Sequence, residues 1–464
     1  MKPFAPAARA IHDRRRPGAF AMALDSDRRR IAHLVRRATF GVSVAELEEA
    51  VQAGYQATLE RLLNPEGQAD DVDSLVPRDA FDFSQRPDCV RYWLLRMVYS
   101  KRQFLEKMTL FWHGHLTSSL AKTGNAPWLM VQQIDTYRAL ALGNFRDLVL
   151  ASAKDPAMIL WLDNNQNRKG KPNENYAREL MELFTLGIGN YTEQDVREAA
   201  RAFTGWFQRD GQFVFVPGQH DGGTKTVLGR TGPWDGTDVI DIVVRHPACA
   251  PFIARKLWTF FAYPDPEPEV IADLARVFTG SGYDIRATMR ALFTHPAFLS
   301  ERAYHAVIKS PVEFAVGFLR ALEARTDGGL LNAFLPLMGQ VPLAPPNVAG
   351  WPGGRSWIST STLIARYNFA TQALRGGPDQ PTFIDVAALL RRHRLATPEA
   401  ILDFFVDLMV DGDLPEAKRG VLADYLVARD DGSPGLFTLD ERTVNNKVRG
   451  LIALLAATPE YQLA

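Results

Sequence analysis

The sequence predicts a predominantly α-helical fold, a large multi-helix domain that carries one small β-hairpin insertion near residues 212–228. Apolar residues recur at spacings of three and four along most of the chain, which is the period of a helix with one buried face. Ser43 precedes one such stretch with Glu46 three positions later, the pattern of a capping box. Asp155 and Thr192 are likewise predicted to cap the helices that follow them, with Asp195 three positions after Thr192. Only residues 212–216 and 226–228 place β-branched and aromatic residues around a glycine-rich turn, which predicts the hairpin.

The helical elements follow one another along the chain, starting at residue 27. Before the β element, apolar periodicity predicts helices over residues 44–51, 55–63, 90–111, 128–140, 145–153, 157–162 and 174–184. After it, the same pattern predicts helices over residues 238–245, 252–261, 270–278, 285–293, 312–322 and 361–374, followed by four amphipathic segments. A long loop rich in proline and glycine, residues 341–357, interrupts the second series.

At 464 residues, the chain is long enough for one large domain or for two closely packed ones. Residues 1–25 are rich in arginine, alanine and proline and lack apolar periodicity, which predicts a loose N-terminal tail. Residues 26–464 are expected to form a single large helical domain. Two packed lobes, about 26–205 and 235–464 with the β element between them, are the alternative division.

Composition excludes some classes of function. The 53 lysines and arginines equal the 53 aspartates and glutamates, so nucleic acid is not expected as a partner. No apolar run approaches the roughly 18 residues of a transmembrane helix. The run that follows the arginines at 14–16 is too short for a signal peptide, which favours a cytoplasmic location. Cys89 and Cys249 are too few for a disulfide framework and are expected to be free buried thiols.

Two histidines one residue apart, His113 and His115, follow the helix predicted over residues 90–111. In an extended segment, side chains two positions apart share a face, and imidazole nitrogen is a common ligand of divalent metals. Together with His220 and Asp221 from the glycine-rich turn, they predict a site for a divalent metal of unknown identity. The alternative is that both histidines only bond backbone carbonyl groups at a helix end.

A second group of candidates lies on the helix predicted over residues 174–184, where the charged residues share the face opposite the apolar one. Glu179 and Glu182 are candidate catalytic residues, as metal ligands or as acid and base. Arg178 would orient a carboxylate or an anionic substrate. The alternative is a solvated face, in which the ion pairs of Arg178 contribute only about 0.2–0.5 kcal/mol each.

Polar and aromatic residues near these elements are candidates for binding a substrate. Long ordered loops such as residues 341–357 are often lids or binding rims, and tryptophans beside an arginine would suit a sugar or an acidic polymer. The other interpretation of this loop is a rigid connector held by its own tryptophans. The candidate substrate-binding residues are Asn173, Asn175, Trp351, Arg355 and Trp357.

Seven strings of the sequence form a specific combination. They are His33-Leu-Val-Arg-Arg-Ala-Thr-Phe-Gly41, Phe111-Trp-His-Gly-His115, Asn173-Glu-Asn-Tyr-Ala-Arg-Glu-Leu-Met-Glu-Leu183, Phe203-Thr-Gly-Trp206, His220-Asp221 before Lys225-Thr-Val-Leu-Gly229, Asn347-Val-Ala-Gly-Trp-Pro-Gly-Gly354 and Leu363-Ile-Ala-Arg-Tyr-Asn-Phe369. Taken together, they resemble one bacterial family, the domain of unknown function DUF1800. The resemblance implies that export to the periplasm is an alternative to the cytoplasm, because many members carry export signals. It also implies a sulfatase-like partner protein, because such proteins are encoded beside many members.

These observations lead to two hypotheses of function. The first is an enzyme of the hydrolase type with a metal-supported centre of histidine, glutamate and aspartate, acting on an unknown substrate. The second is a non-catalytic protein that binds a polymer or a partner through residues 341–357. Convergence of His113, His115, Glu179 and His220 in a cleft would favour the enzyme. Their dispersal, with Trp351 and Trp357 exposed on a shallow groove, would favour binding.

Overall fold

Helices account for most of the chain in the computed structural model, which describes Leu24 and residues 26–429, 432–433 and 435–464. The predominantly α-helical class is therefore confirmed. The tail predicted over residues 1–25 lies outside the described residues except for Leu24, and so do the arginines that bear on an export signal. The division into domains or lobes stays a prediction.

The first part of the chain is a succession of helices whose ends match several of the predicted caps. Ser43 and Glu46 form the expected capping box, and Asp155 accepts the backbone N–H of Met158. These helices are α1 (Asp27–Ala38), α2 (Val44–Ala53), α3 (Tyr55–Leu63), α4 (Val72–Leu75), α5 (Arg86–Tyr99), α6 (Gln103–His115), α7 (Trp128–Leu140), α8 (Phe145–Lys154), α9 (Pro156–Trp161), α10 (Asn175–Glu179), which continues as the π-helix Leu180–Thr185, and α11 (Glu193–Ala202).

The second part follows the β element and is again helical. Its helices are α12 (Gly236–Val244), α13 (Cys249–Phe261), α14 (Pro268–Gly280), α15 (Ile285–Thr294), α16 (Pro311–Ala321), α17 (Gly329–Met338), α18 (Thr360–Leu374), α19 (Val386–Arg392), α20 (Pro398–Val410), α21 (Glu416–Val427), α22 (Glu441–Thr443), which continues as the π-helix Val444–Val448, and α23 (Arg449–Ala457). The longest of them, α18, has 15 residues. Within the described part of the chain, we find no helix that is both long and apolar enough to cross a bilayer.

The single helix predicted over residues 90–111 is two helices, α5 and α6, with a break at Ser100. The side chain of Asp70 causes this break by bonding two groups at once. It accepts the hydroxyl of Ser100 at 2.6 Å and the backbone N–H of Lys101 at 3.1 Å. A carboxylate from another segment thus replaces the helical bonds at this point, and a local apolar period cannot reveal it.

The β element lies where the sequence predicts it, but the strands pair differently. Residues 212–216 and 226–228 do not pair with each other. Two separate hairpins form instead, β1 (Trp206–Arg209) with β2 (Gln212–Phe215), and β3 (Lys225–Val227) with β4 (Arg230–Gly232). Each hairpin has a two-residue turn with both φ angles positive, 51° and 74° at Asp210-Gly211 and 48° and 78° at Leu228-Gly229. Turns of this kind match the twist of adjacent strands and favour the nearest pairing.

Two large hydrophobic cores hold the helices together, and they do not divide the chain at one point. The first core contains residues from α1, α3 and α6 to α15. The second combines α5 and residues of α4, α6, α7 and α9 with the helices α16 to α21 and α23. Helix α5 contacts both α16 and α17, which lie far along the chain. Cys89 and Cys249 are buried free thiols, one in each core, as predicted.

A buried ion pair and a backbone contact join these cores. Lys107 of α6 lies 2.9 Å from a carboxylate oxygen of Glu313 on α16, and both side chains are buried. Lys107 also donates to the carbonyl of Thr39 at 2.9 Å. Nearby, Gly41 packs directly on Gly317, where an added Cβ would lie only 2.3 Å from the carbonyl oxygen of the preceding Phe40. The contact therefore requires glycine at position 317.

Candidate functional site

His113 and His115 both lie within α6, which ends at His115, rather than in an extended segment. Side chains two positions apart on a helix point to nearly opposite sides. The two imidazoles accordingly face different neighbours, and the expectation that they share a face is wrong.

The ring of His113 is fully buried and accepts a hydrogen bond from the backbone N–H of Leu343, with 3.1 Å between Nε2 and N. The proton of the neutral ring must then be on Nδ1, which has no hydrogen-bond partner among the described residues. The edges of Trp93 and Trp351 pack on the ring, with centroid distances of 5.4 and 5.7 Å. Burial lowers the pKa of His113 to about 3, so the ring is neutral.

His115 binds the π-helix Leu180–Thr185. Its Nε2 atom lies 2.9 Å from the carbonyl oxygen of Phe184 in the π-helix, and because a carbonyl can only accept, the ring donates. The ring also stacks parallel to Phe111 at a centroid distance of 5.9 Å. Burial, and secondarily the positive charge of Lys256, lowers the pKa of His115 to about 3. The two histidines thus bond backbone groups of two segments, the loop 341–357 and the π-helix.

His220 and Asp221 stabilise the turn in which they lie. The Nδ1 atom of His220 lies 2.9 Å from the carbonyl oxygen of Thr204, to which it donates. Asp221 receives two hydrogen bonds from the guanidinium of Arg201, at 2.8 and 3.4 Å, and one from the backbone N–H of Gly223. The hydrogen bonds from Arg201 are the main reason why the pKa of Asp221 is lowered to about 2.

The residues predicted as metal ligands are therefore not brought together. His113, His115, His220 and Asp221 each bond a different backbone or side-chain group. In the part of the chain that the structure describes, no three or more His, Cys, Asp or Glu side chains are arranged so that they could hold a metal ion. His113, His115, His220 and Asp221 thus do not form one metal site in the described part of the chain.

The helix predicted over residues 174–184 changes from an α-helix to a π-helix along its length. Helix α10 ends at Glu179 and continues as the π-helix Leu180–Thr185, in which the N–H of Leu186 bonds the carbonyl of Met181 five positions earlier, at 2.9 Å. Such one-turn widenings of an α-helix are rare and occur frequently at functional sites. Glu179 stands at the transition and Glu182 inside the wider turn.

The two carboxyl groups have different surroundings. Glu179 is half-buried, and burial together with the charge of Glu182 raises its pKa, while Arg178 opposes this effect. Glu182 accepts the hydroxyl of Tyr191 at 2.6 Å. The sequence suggests an ion pair of Glu182 with Arg178, but none forms. The guanidinium of Arg178 binds Glu193 at 2.7 and 2.8 Å and Glu174 at 3.0 Å instead.

The loop 341–357 packs on the end of α6. The N–H of Leu120 bonds the carbonyl of Leu343 at 2.8 Å, and the hydroxyl of Ser119 bonds that of Pro345 at 3.2 Å. Gly350 lies so close to Gly114 that an added Cβ would come within 2.5 Å of its carbonyl oxygen, and its φ is +80°. The loop thus packs closely on this helix end and the residues that follow it.

The candidate substrate-binding residues differ in what they leave accessible. Trp357 is buried and Trp351 is half-buried against His113, whereas Arg355 is exposed. Asn173 accepts the N–H of Asn175 in a local turn at 2.9 Å, and Asn175 is exposed. The structure thus forms no groove lined by two exposed tryptophans.

One comparison with known proteins identifies the family. The family model described as "Protein of unknown function (DUF1800)" matches residues 33–463, nearly the whole chain. The chain belongs to the DUF1800 family. No curated protein and no solved structure matches it.

In this DUF1800 chain, the end of α6 lies between two other segments. Two of the strings that carry the resemblance meet where His113 packs on Trp351 of the loop 341–357. His115 bonds Phe184 of the π-helix, the residue that follows the string ending at Leu183. Sequence reasoning missed Tyr191, whose distance of nine positions from Glu182 matches no helical period. It also assigned no role to Asn167, whose side chain donates to the carbonyl of Ala200 at 2.9 Å. The high density of asparagines in the loop 163–170 is the signal that could have indicated it.

Proposed function

We propose that this DUF1800 protein is a hydrolase-type enzyme in which Glu179 and Glu182 act as an acid–base pair without a metal. The observation that carries the proposal is the placement of both carboxyl groups at the change from α10 to the π-helix, with the pKa of Glu179 raised. Two titratable groups whose environments differ are the usual basis for assigning an acid and a base.

The two residues have separate roles in this mechanism. Glu179 is half-buried and retains its proton to higher pH than an ordinary glutamate, so it serves as the general acid that protonates a leaving group. Glu182 is fixed by the hydroxyl of Tyr191 and serves as the carboxylate that activates water. Cleavage of a glycosidic bond is the hydrolysis that typically uses two carboxyl groups in this way.

His115 and Tyr191 are positioning residues in this scheme. The hydrogen bond from His115 to the carbonyl of Phe184 anchors the wide turn that carries Glu182. Because the ring is buried and neutral, it contributes orientation rather than proton transfer. Arg178 is held by Glu174 and Glu193, so its contribution is to the local field at Glu179 rather than to substrate binding.

The alternative, binding of a polymer through the loop 341–357, lacks comparable support. Trp351 packs on His113 at the end of α6, Trp357 is buried, and Arg355 alone is exposed among the three side chains considered for this role. We therefore propose that the loop supports the π-helix region from the far side of α6 and that Asn175, which is exposed beside the carboxylates, contacts the substrate.

The test is hydrolysis of a panel of nitrophenyl glycosides by the wild-type protein and three variants between pH 4 and pH 9. We expect turnover of at least one glycoside by the wild type, and a loss of about 10²–10⁴-fold in Glu179→Gln and in Glu182→Gln. Glu399→Gln, which changes an exposed glutamate on α20, is the matched control and should retain the wild-type rate. Absence of turnover across the panel, or equal rates in all four proteins, would overturn the proposal.

A further inference from the structure

A large cavity lies far along the chain from Glu179 and Glu182. It is a cleft of about 1460 Å³ bordered by the end of α18, by α19, by α22 with its π-helix, and by α23. Neither Glu179 nor Glu182 lines it. Cavities that bind small organic ligands are usually several hundred cubic ångströms in volume, so this one has room for such a ligand.

Three arginines of the cleft are available to a ligand. Arg375, Arg391 and Arg394 line it and are exposed. None of the three side chains has a hydrogen bond or an ion pair with another described residue. In contrast, a fourth lining arginine, Arg449, donates to the carbonyl groups of Leu374 and Gly376 and is part of the wall.

Three acidic residues line the same cleft, and none of them pairs with Arg375, Arg391 or Arg394. Two of the three cap helices: Asp385 accepts the N–H of Ala388 at 2.8 Å, and Asp440 accepts that of Thr443 at 2.7 Å. Glu441 is the third. The three guanidinium groups thus stay without a side-chain partner among the described residues, and such groups bind carboxylates well.

One part of the cleft wall is apolar. Leu390 and Ala453 are buried residues of the second core that reach its lining, and Leu439 is 36% exposed at its rim. The wall beside them is fixed, because Tyr425 donates to the carbonyl of Asn446 in the π-helix at 3.0 Å. Tyr425 also lies so close to Gly450 that a Cβ there would be 2.0 Å from its hydroxyl.

We infer that this cleft binds an amphipathic organic anion, a free alkyl carboxylate of medium chain length. The carboxylate contacts Arg391 and Arg394, and the chain lies along Leu390 and Leu439. The combination of unpaired guanidinium groups with an apolar wall carries this inference, since each feature alone would be an ordinary piece of surface. It goes beyond the proposed hydrolysis and does not depend on it.

The probe is dodecanoate below its micellar concentration, titrated into the full chain by calorimetry. Acetate tests the head group alone, and dodecyltrimethylammonium tests the same chain with the opposite charge. We expect saturable binding of dodecanoate, and binding at least tenfold weaker for each of the other two compounds. No binding of dodecanoate, or equal binding of the cationic compound, would overturn the inference.

Two pairs of substitutions with the same change in net charge locate the site. Arg391→Gln/Arg394→Gln should weaken binding of dodecanoate at least tenfold. Arg245→Gln/Arg255→Gln, which alters two exposed arginines outside the cleft, should leave it unchanged. Leu439→Asp, at the exposed rim, should also weaken binding. An equal loss in both arginine pairs would mean that general charge attraction, not this cleft, binds the anion.

Discussion

The imidazole of His113 accepts the backbone N–H of Leu343 across 230 positions of sequence, at a distance of 3.1 Å. This bond attaches the loop 341–357 to the end of α6, on the side opposite the bond from His115 to Phe184. A His-x-His pair that resembles a metal motif in sequence is thus used to fix two backbone segments. One segment is the loop 341–357, and the other is the π-helix that carries Glu182 of the proposed carboxylate pair.

Replacing His113 by alanine should lower the free energy of unfolding by about 2–4 kcal/mol. The substitution removes a buried side chain and leaves the N–H of Leu343 without its acceptor. Urea unfolding measures the first effect. Amide hydrogen exchange measures the second, which should appear as faster exchange at Leu343. Unchanged exchange there would contradict the role of this bond.

A pH dependence is expected from His33, which is buried with its Nε2 atom 3.0 Å from the carbonyl of Phe298. Burial lowers its pKa from 6.5 to about 3. Between pH 3 and pH 6.5, His33 binds a proton in the unfolded chain but not in the folded chain. The free energy of unfolding is therefore highest above pH 6.5 and decreases as the pH falls through this range. His33→Gln should therefore reduce the slope of stability against pH by about 1.4 kcal/mol per unit.

Urea unfolding of the two proteins from pH 4 to pH 8 measures this difference. Glutamine can still donate to Phe298, so the variant should remain folded at neutral pH. Parallel pH curves for the wild type and His33→Gln would show that the pKa of the ring is the same in the folded and unfolded states, which would contradict the prediction.

The contact between Gly41 and Gly317 gives a third prediction. Gly317→Ala forces a Cβ to within 2.3 Å of a backbone carbonyl that cannot move independently, so we expect a loss of about 3 kcal/mol in stability. Gly420→Ala is the matched control. This glycine lies in α21 with nothing within 4 Å of an added Cβ, and alanine there should stabilise by about 0.5–1 kcal/mol. Thermal unfolding of both variants measures these effects. Equal melting temperatures of Gly317→Ala and Gly420→Ala would contradict the prediction.

The fourth prediction concerns the buried ion pair of Lys107 and Glu313. Burial alone would raise the pKa of Glu313, but the positive charges of Lys107 and Arg37 outweigh it and lower that pKa to about 2. Lys107→Met leaves a buried carboxylate without its partner and should cost about 3–5 kcal/mol. In Lys107→Met/Glu313→Gln the charge is absent and the glutamine can still cap α16.

A double-mutant cycle by chemical denaturation measures the coupling of this pair, which we expect to exceed about 1 kcal/mol. Additive effects of the two substitutions would mean that the pair is not coupled in the folded protein.

Local pattern predicts the helical class, most helix positions and the caps of this protein, because these depend on neighbours three or four positions away. Ser43 with Glu46, and Thr192 with Asp195, form the expected capping boxes. The break at Ser100 could not be predicted, since it depends on the carboxylate of Asp70, which is far along the chain. The pairing of the strands depends on the Asp210-Gly211 turn, a local signal that sequence analysis overlooked.

The candidate site is less predictable than the fold. The sequence identifies His113, His115 and Glu179 as unusual residues, but their roles depend on what packs against them. A helix ending at His115, rather than an extended segment, sends the two rings to opposite sides. The π-turn, and the bond of Glu182 to Tyr191, follow from three-dimensional packing and have no signature in a single sequence.

The way the two cores interleave has a consequence for biosynthesis. Helix α5 lies early in the chain, yet its apolar face is covered by α16 and α17. The ribosome takes on the order of 10–40 s to add the roughly 210 residues in between. During that interval the nascent chain exposes the part of α5 that α16 and α17 cover in the finished protein. We therefore expect its yield in cells to depend on chaperones that shield apolar surface on growing chains.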